Sequence, residues 1–378
     1  MALNVALNGF GQLGRLVFLQ LLNDKNVTIT AINDTVGPEL LAYRLKYDTM
    51  TGKVPFADSI KAGPGFISVK GRDIRVLEEK DPAKLPWKKL KTELVLECGG
   101  LSLKHAAVHI EAGAKRALSS GPAEDEPPVI VFGINENTLG PRDKVITAGS
   151  PVLGGLALIA KALHETAPIR SGFFTAIQAD AGEIWDESRQ VPAETGEPER
   201  NGFRRFRSAG IVPTIAGAAA LGLVIPDLRG KLSGAVLRTP VAGGSSIILT
   251  AVVQAAGPLD AETINRAMKA KSNKVLGYND EEIVSSDAAG TEYGAIFDAT
   301  QTLVLPAGGT EENLYQVQAA AWYDKKSSGA SQIVRIVKYL AGGGSAARNA
   351  GAEGNPPKKA AKTDDILSRR KPLINYQK

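Results

Sequence analysis

The sequence predicts an α/β protein of two domains: a parallel sheet wound by helices, then an α+β domain with a mixed or antiparallel sheet. Three observations predict it. Gly9-Phe10-Gly11-Gln12-Leu13-Gly14 stands between an apolar run and a helical run, with Asp34 twenty residues past the last glycine. Strand and helix patterns then alternate as far as residue 150. Beyond that point the chain turns β-rich. The expected organisation is one domain at 1–150, a second at 151–330, a closing helix at 331–340 that packs with the first domain, and a basic tail at 341–378.

The elements follow in order. Asn4-Val5-Ala6-Leu7-Asn8 reads as a short buried strand, Arg15 to Leu22 as a helix, and Val27 to Ile32 as a second strand ending at Asn33-Asp34. In such a unit the three glycines permit a tight turn, close approach of a pyrophosphate, and close helix–sheet packing. The helix amino terminus faces the phosphates. Asp34 is placed to accept from the adenosine ribose hydroxyls, which favours NAD over NADP. The first domain is therefore expected to be an NAD-binding Rossmann domain, although the turn alone would also ask for these glycines. Glu93 to Leu96 is a strand, Lys104 to Ala112 a helix, Val129 to Phe132 a strand, and Val152 to Glu165 a long helix leading out of the domain.

In the second half, Phe173 to Ala179, Gly234 to Arg238 and Ser245 to Gln254 read as strands. Ala261 to Lys271 is a helix, Gln301 to Leu305 and Tyr315 to Trp322 are strands, and Ser331 to Leu340 is the closing helix. The most apolar stretch, Ala209 to Pro226, is broken at Pro213 and Thr214. It reads as a buried helix and its approach, so no membrane insertion is expected. Glu183 to Ser208 is polar, with Pro192, Pro198 and an Arg204-Arg205-Phe206-Arg207 cluster. It reads as a long exposed loop whose arginines suit a phosphate, an acidic partner or plain solvent.

Composition sets further bounds. An apolar content of 43% is that of a globular chain. The single cysteine excludes an internal disulfide. From Ala341 onward there are eight Lys/Arg against three acids, a surplus equal to the whole chain's net charge of +5. The first 340 residues are thus balanced, and the basic character belongs to the tail. That tail is expected to be disordered alone and to suit an acidic protein surface or RNA. Met1 leads straight into a strand pattern, so no signal or transit peptide is expected and the cytoplasm is the default compartment.

His105 and His109 are four apart on one expected helix, but no further ligand accompanies them, so they read as surface polar residues and no metal is expected. His164 ends a helix and is expected to meet its last carbonyls. Cys98, followed by Gly99-Gly100, reads as a buried structural cysteine.

Several stretches carry a specific resemblance. Asn8 to Arg15 resembles N-G-F-G-R-I-G-R, and Ala31-Ile32-Asn33-Asp34 matches A-I-N-D. Leu45-Lys46-Tyr47-Asp48 with Thr51-Gly52 resembles F-K-Y-D-S-T-H-G, and Glu79-Lys80-Asp81-Pro82 with Trp87 resembles E-R-D-P and its tryptophan. Gly113-Ala114-Lys115-Arg116, Val224-Ile225-Pro226-Asp227-Leu228, Val284-Ser285-Ser286-Asp287 and Trp322-Tyr323-Asp324 continue the series in order. Together they resemble the glyceraldehyde-3-phosphate dehydrogenase family from about Asn4 to Leu340.

The resemblance implies NAD as cofactor, with Gly9, Phe10, Gly11, Gln12, Leu13, Gly14, Asp34, Lys80 and Ser120 at the cofactor positions. Arg238 falls on a position that binds a substrate phosphate. It also implies a family catalytic-type second domain and oligomers through family-type interfaces.

The departures concentrate in the chemistry. Lys144 to Gly155 aligns with the family segment K-I-V-S-N-A-S-C-T-T-N-C, whose first cysteine attacks the aldehyde, and that cysteine falls on Pro151. The base histidine falls on Gln178, two phosphate-binding threonines on Ala181 and Ala216, and the asparagine that holds the nicotinamide amide on Lys325. Gln12 and Lys80 each replace an arginine, and Val152 a threonine. A thiolate and an imidazole are what that reaction needs. Ser150 lacks an aligned base, and Asp180 is the one acid placed to be suspected. The expectation is a catalytically inactive relative, a structural or interaction subunit of a larger assembly with protein partners, as homo- or hetero-oligomer. An NAD-dependent oxidoreductase with thiol-independent chemistry and an NAD-sensing binding module stand as alternatives.

Overall fold

The computed structural model describes residues 2–48, 52–99, 106–121, 128–179, 210–213, 215–241, 243–308 and 312–344. Strand β1 (Leu3–Asn8) lies mid-sheet because Val5, Ala6 and Leu7 are buried on both faces. Helix α1 (Gln12–Leu21), β2 (Val27–Asn33) and α2 (Pro38–Lys46) follow. A two-residue hairpin, β3 (Tyr47–Asp48) and β4 (Gly52–Lys53), precedes β5 (Lys61–Gly63), β6 (Phe66–Val69) and β7 (Arg72–Leu77). Then come β8 (Leu94–Glu97), a single turn α3 (Val108–Glu111), β9 (Arg116–Ser119) and β10 (Val145–Thr147).

The first sheet has the order β10-β9-β8-β1-β2-β7-β6-β5. It is parallel from β10 to β7, and β6 and β5 add an antiparallel edge. The chain winds outward from β1 through β2 in one direction and returns through β8 in the other. The strand order therefore reverses between β1 and β8, where doubly wound sheets bind their ligands.

Helix α4 (Pro151–Thr166) opens the second half and is a core helix, with Leu156, Ala157, Ile159, Ala160 and Leu163 at 1% exposure or less. The remaining elements are β11 (Ile169–Ala179), β12 (Gly210–Pro213), α5 (Ile215–Val224), β13 (Leu232–Thr239), β14 (Ser245–Gln254) and α6 (Ala261–Lys271). They are followed by β15 (Leu276–Asn279), β16 (Ala295–Pro306), β17 (Leu314–Tyr323) and α7 (Ser327–Ala341). Their sheet has the order β12-β13-β11-β14-β17-β16-β15 and is mixed, with β11–β13 and β15–β16 parallel and the other pairs antiparallel. In β14 buried and half-buried residues alternate strictly, so one face packs on the core. Helix α7 returns to the first domain: Ala330, Ile333, Val334 and Val337 join Val17, Phe18 and Leu21 in one core.

Several local expectations change. Val129 to Phe132 is not a strand; it makes one parallel bridge, Val129 to Thr147. The Asn135 side chain accepts from Val131 N–H and donates to Val129 C=O, taking backbone groups a ladder would use. The apolar stretch from Ala209 divides into β12 and α5, and α5 is not wholly buried: Leu221 and Val224 face inward while Leu223 is 46% exposed. His164 does not bond the helix carbonyls. Its Nδ1 accepts the Ile169 N–H at 2.9 Å, and burial, aided by nearby Lys231, holds its pKa below the usual imidazole value. Among the described residues no helix is long and apolar enough to cross a membrane. The Glu183 to Ser208 loop with its Arg204–Arg207 cluster, His105, Asp180, Ala181 and the tail beyond 344 lie outside the described residues.

Candidate functional site

A cavity of about 380 Å³ opens beyond the carboxyl ends of β1 and β8, at the reversal of strand order. Gly11, Gln12 and Leu13 border it from α1, Cys98 and Gly99 from the end of β8, and Ser120 from the end of β9. Ala148 to Pro151 border it from the start of α4, and Lys325, Lys326, Gly329, Gln332 and Ile333 from α7 and its approach. Three helix amino termini thus meet at one cavity, and each carries positive partial charge.

The glycine turn has the three expected reasons, each visible as space. Gly9 has φ +90°, and a Cβ there would stand 2.4 Å from Gly99 Cα. A Cβ on Gly14 would stand 2.2 Å from Gly9 O, so helix and turn touch. A Cβ on Gly11 would meet nothing within 4 Å. The protein itself does not need glycine there; the open space beside it does. Helix α1 begins at Gly11 without a side-chain cap, so its first amides are left for a ligand.

Around this turn the predicted residues divide. Phe10 contributes only backbone, because its ring is fully buried edge-on to Phe18 at 5.4 Å. Its N–H donates to Asp34 Oδ2 at 2.6 Å, which draws the acid at the end of β2 to the turn. Asp34 Oδ1 accepts from Thr35 N–H. Gln12, Leu13 and Ser120 border the cavity; Asp34 stands outside its lining, and Lys80 is exposed after β7.

Beneath the cavity runs a buried polar relay. Trp87 Nε1 donates to His109 Nδ1 at 3.1 Å, and His109 Nε2 stands 3.1 Å from Glu97 Oε2. Indole N–H only donates, so Nδ1 accepts and the ring hydrogen sits on Nε2, where it donates to the carboxylate. Glu97 Oε2 also accepts from Asn8 Nδ2 at 2.6 Å, and Oε1 from Gly99 N–H at 2.7 Å. Asn8 Oδ1 accepts from Asn33 Nδ2, and Asn33 bonds the Glu79 backbone in both directions. His109 is thus not a surface residue; its side chain and that of Glu97 are at 0% exposure. The signal was present in Leu94-Val95-Leu96-Glu97: an acid ending an apolar strand must find donors.

The start of α4 forms the other end of the cavity. Ser150 is the N-cap of α4, its Oγ accepting from Leu153 N–H at 3.2 Å. Pro151 is the first helical residue, the position where proline's missing N–H is harmless and its fixed φ is already helical. The pyrrolidine packs toward α7, where a Cβ on Gly329 would lie 3.2 Å from Pro151 Cγ. Cys98 packs against the first domain's core and also borders the cavity, and burial pushes its thiol pKa up, away from the reactive thiolate. Gln178 is buried on β11 in register with Arg238 on β13, side by side on parallel strands. Neither is among the described cavity-lining residues.

The residues present fit the adenosine and pyrophosphate portion of NAD: the open side of Gly11, the uncapped α1 and the oriented Asp34 are the features that half requires. When bound, NAD would supply a hydride acceptor. At the far end Ser150, Pro151 and Lys325 border the cavity. Among the described residues no group of three or more His, Cys, Asp or Glu is placed to hold a metal ion.

Comparison with known proteins agrees with this architecture. Residues 3–105 match the family model described as glyceraldehyde 3-phosphate dehydrogenase, NAD binding domain. Residues 153–325 match the corresponding C-terminal domain. The chain is similar to a glyceraldehyde-3-phosphate dehydrogenase of Clostridium pasteurianum, 38% identical over 89% of this chain and 98% of that relative. It is also similar to one of Streptococcus pyogenes, 39% identical over 90% of this chain and 99% of that relative. The chain belongs to the glyceraldehyde-3-phosphate dehydrogenase family.

Proposed function

We propose that this protein is a catalytically inactive member of the family that serves as a structural or interaction subunit of a larger assembly. The observation that carries the reading is the start of α4. Ser150 spends its hydroxyl on the helix cap, and Pro151 occupies the nucleophile's position with no group that can attack a carbonyl. Gln178 at the base position exchanges no proton near neutral pH. Cys98 does not replace the lost thiol, because burial disfavours its thiolate. The relatives in Clostridium and Streptococcus are named glyceraldehyde-3-phosphate dehydrogenase, so the reading rests on this chain's own residues at 150, 151 and 178. Purified protein mixed with NAD, phosphate and glyceraldehyde 3-phosphate should form no NADH above the uncatalysed rate. Substrate-dependent NADH formation at a normal enzyme's rate of about 1 s⁻¹ or more overturns the reading.

A second reading, a nucleotide-binding module, is favoured by the empty space beside Gly11 and the uncapped helix behind it. It is compatible with the first, since holding a nucleotide needs neither nucleophile nor base. Gly11→Asp separates nucleotide binding from folding. Aspartate is at least as good an N-cap as glycine and suits the helix dipole, so stability should hold or rise by a few tenths of a kcal/mol. The same carboxylate fills the pyrophosphate's approach and repels it, so NAD affinity measured by calorimetry should fall by about 100-fold or more. Unchanged affinity removes this reading.

A further inference from the structure

We infer that the buried polar relay positions the nucleotide-binding loops through two arms: Trp87 and His109 serve the half of a dinucleotide beyond the pyrophosphate, and Asn33 serves the adenosine half. The inference rests on the nucleotide-binding reading above. The relay crosses the carboxyl ends of four neighbouring strands, β8, β1, β2 and the exit of β7, at the reversal of strand order. Its direction is fixed by which atoms can donate. The Trp87 indole donates to His109 Nδ1, and His109 Nε2 donates to Glu97 Oε2. From the other side Asn33 Nδ2 donates to Asn8 Oδ1 at 2.7 Å, and Asn8 Nδ2 donates to the same Glu97 oxygen at 2.6 Å. Two arms of donors thus converge on one carboxylate, whose other oxygen holds Gly99 N–H. Trp87, His109, Glu97, Asn8 and Asn33 are each at most 6% exposed, so water offers no substitute partner.

Each arm ends at a different part of the nucleotide site. Glu97 closes the relay on Gly99, and its backbone carbonyl accepts from Ser120 N–H and Oγ, both at 3.3 Å. Gly99 and Ser120 both border the cavity. Asn33 precedes Asp34 and bonds the Glu79 backbone in both directions at 3.0 Å, which ties the end of β2 to the segment that carries Lys80. Its own carbonyl accepts Gly9 N–H at 2.8 Å. The glycine turn is therefore fastened from the Asn33 side, with Phe10 N–H on Asp34 as a second tie. Removing the His109 donor leaves a carboxylate at 0% exposure with one partner fewer on Oε2. A buried charge short of a donor shifts toward the donors that remain, here Asn8 and Gly99, and the loop at Gly99 shifts with it. That change falls on the half of a dinucleotide that passes Gly99 and Ser120, and leaves the Asn33 arm in place.

The test is calorimetric titration of the full chain with NAD and with AMP, which probes the adenosine half alone. His109→Leu should weaken NAD by about tenfold and AMP by less than about twofold. His109→Gln, whose amide can still donate to Glu97, should restore most of the NAD affinity. Asn33→Ser should weaken both probes by about tenfold, because both use the adenosine end. Trp87→Phe provides a second variant on the His109 arm if His109→Leu folds poorly, with the same unequal effect on the two probes. General loosening of the domain would instead move both probes alike in every variant. Equal changes in NAD and AMP affinity for the His109-arm variants, or unchanged AMP affinity in Asn33→Ser, overturn the positioning inference and leave nucleotide binding intact. Failure of the wild type to bind NAD overturns the binding reading and the inference with it.

Discussion

Pro151→Cys is expected to create a thiol that reacts with iodoacetamide about 100-fold faster than Cys98 at neutral pH, without restoring dehydrogenase turnover. The fold still presents position 151 at the first turn of a 16-residue helix, whose partial positive charge favours a thiolate. Cys98 has the reverse environment, since burial pushes its thiol away from ionisation. Turnover stays at background because Gln178 offers no base. Adding Gln178→His to Pro151→Cys supplies one, and should raise NADH formation over the single variant by about 10²-fold or more. Losing proline from the first helical position should cost only about 0.4–1 kcal/mol, through greater freedom of the unfolded chain. Labelling followed by peptide mass mapping reads the first effect directly. Equal labelling of the two sites would mean that the helix start is no longer a thiolate site.

Glu97→Ala is expected to produce the largest loss of stability, about 3–5 kcal/mol in urea denaturation, against a total of about 5–15 kcal/mol for an ordinary domain. One deletion orphans Asn8 Nδ2, His109 Nε2–H and Gly99 N–H together, and leaves a void in a fully buried site. Glu97→Gln keeps the volume and one acceptor oxygen, so it should cost less, about 1–3 kcal/mol. Because Glu97 holds Gly99, and Gly99 backs Gly9 with no room for a Cβ between them, the Ala variant should also loosen the nucleotide turn. A loss under about 1 kcal/mol for Glu97→Ala would show that the relay's donors find other partners.

Much of this was legible in the sequence, for reasons tied to particular elements. Strand β14 and helix α6 fall on the residues that periodicity predicts, because each has one face on the core and the pattern records it. The fingerprint was readable because Gly9 and Gly14 answer steric demands of the fold. Strands β5 and β6 escaped notice because three and four residues are too short to show a period. Val129 to Phe132 has a strand's composition, and only the position of Asn135 explains why it makes a turn. The proposal at Pro151 and Gln178 could be drawn one residue at a time, since neither side chain offers a thiol or an imidazole. The Trp87–His109–Glu97 relay could not be assembled that way, because it joins three segments distant in sequence. Nor could periodicity place Lys326 and Gly329 at the cavity, since α7 reaches it only by crossing back to the first domain.

The central claim is that the family's frame is retained here without its covalent chemistry. Intact-mass analysis of the wild-type chain, quenched after mixing with NAD and glyceraldehyde 3-phosphate in the absence of phosphate, tests it most directly. An unchanged mass is the predicted result, because no nucleophile stands at the start of α4. A stable acyl adduct on any residue bordering the cavity would contradict the claim and identify the group that replaced the lost thiol.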